Sequence, residues 1–416
     1  MKNLLLLCFL SLSAAFLAAC STTSEAPSSA PLKSPDLQLG ELIQILPVKT
    51  VRDRVRVISA KDGSLHVFIA ATELGNLLEV YIPSDGAPYV SRVVLPDAAP
   101  ENMDAAFDAQ EKLHAIADTE HLVLDNEGWQ KSSRTPWQGI KVNVEAAHFV
   151  QGAKDLTWML QVNGKDLQVP LRMEMYGAAG YGGGIIWPWF THGVRTVFVA
   201  QTPDGYGPWF VIEPQQREDT TVYSIAADRK GNLHLVYKKS HSGFPQQSSH
   251  SYMQIDADVL LGKASLESYS EVQSTSSFKL YAVKGQDVGK ETTAEKYWQG
   301  DSTPFAFPGG QYDYRLRYSA YCEDTWHVLT AGEPKDSWWG KGNPIRYQRY
   351  SNNEWSAPVE VGVADVSSFW GYFVDALDIT CIDNDRAFLV WPTEQGFVGR
   401  WVKNIPEKQK HNETGP

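Results

Sequence analysis

Several things are scarce in this chain of 416 residues, and each scarcity removes a class of protein. Cysteine occurs only four times, which excludes a small scaffold held mainly by disulfides. Basic residues are outnumbered, 37 against 49 acidic, for a net charge of −12; with no basic stripe, nucleic acid is not an expected partner. After the first twenty residues no apolar run approaches the roughly 20 residues a bilayer-spanning helix needs. Long stretches of helical period are missing. There is no G-x-S-x-G nucleophile turn, no G-x-x-x-x-G-K phosphate loop and no H-x-x-x-H pair, so neither cofactor nor metal is expected.

What is present is β-forming. Aromatics make up 12% of the chain, and Gly, Pro, Ser and Thr are frequent, which favours an all-β protein. One phrase organises it: Asp228-Arg229-Lys230-Gly231-Asn232-Leu233-His234-Leu235-Val236-Tyr237, a polar turn with Gly231 and Asn232 able to take φ > 0, feeding an apolar strand. The strand-like run Thr221 to Ala227 precedes it, so the pair reads as a β-hairpin. Related phrases begin at Lys61, Asp108, Gly152, Thr191, Cys322 and Asp383. Phe278 to Val283 fits a further unit in the long gap between His234 and His327. A second hairpin signature, as in Asn352-Asn353-Glu354-Trp355, implies about four strands per unit with a period near 45 residues.

That rhythm is the footprint of a β-propeller of about seven (six to eight) four-stranded blades. The last unit shows only three strands before a polar tail. Glu41-Leu42-Ile43-Gln44-Ile45-Leu46-Pro47 is an orphan strand ahead of the first unit, and supplying it as the missing outer strand would close the ring and cover two edges.

The N-terminus carries Lys2, an apolar run from Leu4 to Phe16, and Leu17-Ala18-Ala19-Cys20, which together describe a secretory signal. Leu17-Ala18-Ala19-Cys20 resembles the lipobox of bacterial lipoproteins. That resemblance implies cleavage before Cys20, acylation of Cys20 by palmitate-like chains, and attachment to the membrane through this anchor. Ser21 is not the aspartate that retains such proteins at the inner membrane, so in a host with two membranes the outer one is implied. The expected parts are a signal peptide (1–19), a lipidated cysteine with a flexible tether (20–38), the propeller (39–404) and a disordered tail (405–416). With Cys8 removed and Cys20 acylated, Cys322 and Cys381 remain. In an oxidising envelope compartment they are most simply a disulfide, with two buried free thiols as the alternative.

The units also resemble the degenerate blades of sialidase-like propellers across most of residues 50–403. Glycosidases of that family use three arginines, a Tyr/Glu pair and an Asp acid, marked by an Arg-Ile-Pro strand and S-x-D-x-G-x-x-W boxes. Arg54-Val55-Arg56 lacks the Ile-Pro, and Ser84-Asp85-Gly86 is a fragment of the box at best, so no catalytic residue is carried over. Propeller lipoproteins of the outer-membrane assembly machinery carry a D-x-x-T-G-x-x-x-W phrase that is missing here.

Loops after the second strand of each unit are the expected ligand face. Trp338 and Trp339, with Lys341 beside them, suit a sugar face or an anion; Lys239 and His241 lie in an equivalent loop. His66, His114, His234 and His327 recur at one position and are read as structural, each bonding a backbone group in its own unit, rather than as a metal ring. Asp256 and Asp258 are read as a strand-end turn rather than a calcium site. The leading expectation is a lipid-anchored envelope propeller that binds a protein or a glycan without catalysis; the alternative is a glycan-acting hydrolase or lyase with a diverged site.

Overall fold

The computed structural model describes residues 36–48, 54–100, 103–108, 110–138, 143–149, 157–168, 192–202, 205–212, 218–228, 230, 232–241, 247–264, 267–268, 277–283, 296–304, 318–331, 342–352, 354–364 and 376–405. They form an all-β propeller. Two short strands come first, β1 (Leu37–Leu39) and β2 (Ile43–Leu46), followed by up-and-down meanders. The first meander is β3 (Arg54–Ser59), β4 (Leu65–Ala71), β5 (Asn76–Ile82) and β6 (Tyr89–Leu95). The second is β7 (Met103–Phe107), β8 (Leu113–Ala117), β9 (Glu120–Asp125) and β10 (Gly128–Lys131).

The middle of the chain builds a ten-stranded sheet. It starts with β11 (Asn143–Phe149), β12 (Thr157–Gln168), β13 (His192–Thr202) and β14 (Gly205–Ile212). It continues with β15 (Glu218–Ala227), β16 (Leu233–His241), β17 (Gln247–Ile255), the one-turn helix α1 (Ala257–Leu260), β18 (Glu267–Ser268), β19 (Ser277–Val283) and β20 (Lys296–Pro304). β14 pairs with β19 and β17 with β20, which joins the two meanders through the β19–β20 hairpin. The next sheet holds β21 (Ser319–Cys322), β22 (Thr325–Ala331), β23 (Asn343–Ser351), β24 (Glu354–Trp355) and β25 (Val359–Ala364). The last holds β26 (Asp378–Cys381), β27 (Arg386–Thr393) and β28 (Gly396–Asn404).

The described residues thus form five sheets in a ring, not about seven separate blades. Two stretches that read as further units account for part of the difference, and the joining of two meanders into the ten-stranded sheet accounts for the rest. The phrase at Thr191 becomes β13, the third strand of its meander, and Phe278 to Val283 lies in the linking strand β19. Both carry the same apolar alternation as a second strand, and pairing alone distinguishes them. First strands of successive meanders touch one another: β26 and β3, β3 and β7, β7 and β11, β15 and β21, β21 and β26. Apolar clusters fill the spaces between sheets. Ile58, Phe68 and Leu77 meet Leu113 and Ala115 in one, and Tyr347 and Val361 meet Leu389 and Trp391 in another.

Closure comes from the N-terminal strands. β2 runs antiparallel to β28 with Ile43 opposite Gly399, and β1 pairs with the same strand, Leu39 opposite Val402. β1 begins at Leu37, and the Ile405 amide donates to Asp36 O at 2.9 Å. The fit is tight: Gly396 sits at φ +116°, and a side chain there would run into the backbone oxygen of Leu46. Ile45 and Leu46 then join Phe388 and Phe397 in a core shared with Val55 and Ile69 of the first meander.

Candidate functional site

The first strands of four meanders surround a cavity of about 390 Å³, within the size range of small-ligand sites. Its wall comes from β3, from the end of β7, and from β21 and β26. Lys61, Asp62, Asp108 and Glu111 of the hairpin turns line it, with Ser59, Ser319, Thr380 and Tyr321; the Ser59 hydroxyl donates to Cys381 O at 3.1 Å and accepts from Thr380 Oγ1 at 3.4 Å. Cys322 and Cys381 are joined in a disulfide that bridges β21 to β26 across this wall, with Cα atoms 6.1 Å apart.

Arg56 on β3 holds the axis together. Its Nε lies 2.7 Å from Asp104 Oδ1, and its Nη1 donates to Asp378 at 3.2 and 3.4 Å. Each aspartate also reaches the next sheet's backbone: Asp378 accepts from the Val57 amide at 2.6 Å, and Asp104 from the Phe149 amide at 2.9 Å. Burial alone would lower the Arg56 pKa, but the two carboxylates outweigh it and raise it. Burial pushes Asp378 up to about 6 against the pull of Arg56. Arg56 lines the cavity. Sequence reading met Arg54-Val55-Arg56 only as a failed sialidase motif. The available signal was two arginines alternating with two valines on a strand, but their partners lie 48 and 322 residues away.

The repeated turn has a physical cause. Asp62, Asp108, Asp228 and Asp383 each use one carboxylate oxygen to accept backbone amides two to four residues on. Asp228 Oδ1, for example, takes Lys230 N at 2.8 Å and Asn232 N at 3.0 Å. Gly63 and Glu111 adopt φ +83° and +62° in two of these turns. Asn232 does not; its side-chain amide donates instead to Asp228 Oδ2 at 3.0 Å.

The four recurring histidines are buried or half-buried on second strands, and each meets a side chain through Nδ1. Through Nδ1, His66 meets Glu79 at 2.7 Å, His114 meets His121 at 2.9 Å, His234 meets Tyr252 OH at 2.6 Å and His327 meets Tyr347 OH at 2.7 Å. Each of these partners sits on the adjacent third strand. Each lies two residues before the one opposite the histidine, a diagonal neighbour on the same face of the sheet and within side-chain reach. Through Nε2, His114 meets Asp108 at 3.0 Å and His234 meets Asp228 at 3.2 Å, so the turn aspartate uses its second oxygen on the histidine. Burial lowers the pKa of His114 and His234 against the opposing pull of their aspartates. It lowers His121 to about 4 and His327 to about 3.

Of the residues proposed from sequence, Cys20, Trp338, Trp339 and Lys341 lie outside the described residues. Lys239 and His241 lie in β16 rather than in a loop, paired with Ser249 and Gln247 at the end far from the hairpin turn. The cavity is at the opposite, hairpin-turn end of the strands. Asp256 directly precedes α1, and Asp258 lies in its first turn.

No known family profile matches the chain, and no curated protein matches it either. Among solved structures it is similar to a protein of unknown function from Dyadobacter fermentans DSM 18053, at 10% identity and a TM-score of 0.44, covering 89% of this chain and 100% of that one. It is similar also to the fucose-specific lectin from Aleuria aurantia (11% identity, TM-score 0.39, covering 87% and 99%). A third is an ulvan lyase, a polysaccharide lyase (8% identity, TM-score 0.38, covering 87% and 82%).

Proposed function

We propose that this protein is a lipid-anchored cell-envelope propeller that binds a glycan or protein partner through the axial cavity and carries out no reaction on it. The observation that carries the reading is the state of the carboxylates around the cavity. A glycosidase-type acid needs a carboxyl held above its usual range and aimed at the ligand. Asp62 is instead held below its usual range by hydrogen bonds from Ser64 Oγ and the Ser64 amide, at 2.6 and 2.9 Å. Asp108 serves its turn and His114, and Glu111 pairs with Lys61 at 2.5 Å. Asp378, the carboxyl that burial does raise, is occupied by Arg56 and the Val57 amide. A polar wall on strands fixed by the sheet is suited to holding a ligand.

The anchor half rests on Leu17-Ala18-Ala19-Cys20 and on a Ser-, Thr-, Ala- and Pro-rich tether. Cells grown with labelled palmitate should incorporate label into the full-length protein and lose it in Cys20→Ala. Equal labelling of both forms would remove the anchor. The binding half is tested on the detergent-extracted full chain by glycan array and by pull-down from envelope extract, with a Trp338/Trp339 alanine double mutant alongside. Release of shortened or unsaturated sugars from a bound glycan would replace this reading with a glycan-acting hydrolase or lyase.

A further inference from the structure

We propose that the outer rim where the first meander meets the N-terminal strands lies against the lipid surface that carries the anchor. This rests on the anchor reading above and adds a second contact between the folded body and the membrane.

Large apolar side chains are exposed unevenly around the ring. Among the described residues, Leu39, Leu42, Leu74, Tyr89, Val90 and Val93 are exposed on the first meander and the strands that precede it, and Val363 is the one other. Sheet register shows where two of them point. Val90 lies opposite Val80, and Val93 opposite Leu78, so all four share one face of the sheet. Val80 and Leu78 are buried in the core that also holds Ile45 and Leu46 of β2, with Ile43 packed against it. That core therefore runs out to the surface at Val90 and Val93, which are 48% and 49% exposed. Leu42, 52% exposed, directly precedes Ile43 on the last-sheet side of the same seam.

The path of the chain argues for lipid as the occupant. β1 begins at Leu37 in the same sheet as β2, so only residues 21–35 separate an acylated Cys20 from this rim. A Ser- and Pro-rich chain of that length has an end-to-end distance of about 20 Å, which makes the seam the part of the body held nearest the bilayer. A strand from another protein is a poorer fit. β6 is the outer edge of its sheet, but register shifts leave Ser91 and Val94 out of the ladder with β5, two bulges that blunt an edge against strand addition. What the rim offers is apolar side chains, a non-directional surface suited to the acyl boundary. Tyr89, exposed at the start of β6, is an amphipathic ring of the kind enriched at membrane interfaces.

The test uses thiol labelling. On the anchor reading Cys8 leaves with the signal and Cys20 is acylated, and Cys322 is bonded to Cys381, so an introduced cysteine is the single free thiol. Full-length acylated protein carrying Val93→Cys or, across the ring, Lys230→Cys is labelled with a polarity-sensitive dye and reconstituted into phosphatidylethanolamine–phosphatidylglycerol vesicles. The Val93→Cys label should shift to the blue, be quenched by nitroxide lipids and lose most of its quenching by aqueous iodide. The Lys230→Cys label should stay open to iodide. Adding Leu42→Asp and Val90→Asp to Val93→Cys, with thermal melting to verify folding, should return the label to its solvent value while the protein still floats with the vesicles. Vesicle-bound protein whose two labels behave alike, or an aspartate variant whose label is unchanged, would overturn the inference and leave the anchor standing. So would a shielded Val93→Cys label that nitroxide lipids fail to quench, which would mark a second copy or another protein on the rim. Protein that neither floats with vesicles nor takes up labelled palmitate would end the anchor reading and this inference together.

Discussion

Asp108 with His114 in the second meander, and Asp228 with His234 in the β15–β17 meander, occupy the same places in the same phrase. In each an aspartate lies six residues ahead of a histidine on a second strand. They differ in what the third strand supplies. Tyr252 OH can donate to His234 Nδ1, leaving a neutral His234 to donate through Nε2 to Asp228, so every contact is satisfied. His121 is already committed, because its Nδ1 must donate to Arg134 O at 3.0 Å. His121 Nε2 then accepts from His114 Nδ1, and His114 Nε2 faces Asp108 Oδ2 as lone pair to lone pair. Three contacts in series need three protons, and two neutral imidazoles supply two. One change of side chain on the third strand thus turns a self-sufficient motif into one that gains its last hydrogen bond only on protonation.

The largest expected effect is on pH dependence. His121 lies near 4 in the folded protein, against an ordinary value of about 6.5, so between those values the unfolded chain binds more protons. Its contribution is complete above about pH 6.5 and is lost as pH falls through 4, with an upper size of about 3 kcal/mol. His121→Gln keeps an acceptor toward His114 and a donor toward Arg134 O but cannot titrate. Its acid limb in denaturant melts should be flatter than wild type by that order, and superimposable limbs would refute the assignment.

Next comes Asp228→Asn. Asp228 Oδ2 stands within hydrogen-bond distance of two donors, Asn232 Nδ2 and His234 Nε2, and these hydrogen bonds hold its pKa below the usual range despite burial. Placing an NH₂ there opposes donor to donor, and a stability loss of about 2 kcal/mol is expected by chemical denaturation. The smallest effect is the mirror case. Asp108→Asn leaves Oδ1 on the Gln110 and Lys112 amides and offers His114 Nε2 the missing proton. At pH 8 it should be neutral or stabilising by up to about 1 kcal/mol. If both substitutions destabilise equally, the proton count separating the two meanders is wrong.

Much of this was legible in the sequence, for a local reason. The turn phrase could be read because an aspartate binding amides two to four residues ahead leaves its mark within one window. The orphan strand at Ile43 to Leu46 could be read because the last unit was visibly one strand short. The count of sheets could not, because β13 and β19 have the same alternating pattern as a second strand. The cavity at the hairpin-turn end was not anticipated either. Trp338 and Trp339, read as a stacking surface for a sugar, lie outside the described residues, whereas Arg56 looked like an ordinary strand residue until Asp104 and Asp378 stood on either side of it.

By itself the sequence determined the contacts that close within a hairpin: the aspartate turns, the strand alternation, and the place of each histidine six residues after its aspartate in two of the units. Only the tertiary structure decided what meets at the axis. Arg56 with Asp104 and Asp378 is brought together by ring closure rather than by any short segment, whereas the sequence had already suggested the closing strand β2 and the pairing of Cys322 with Cys381. Short-range hydrogen bonds are written in residue spacing, whereas a charge or thiol pair across sheets exists only once the ring has set its geometry.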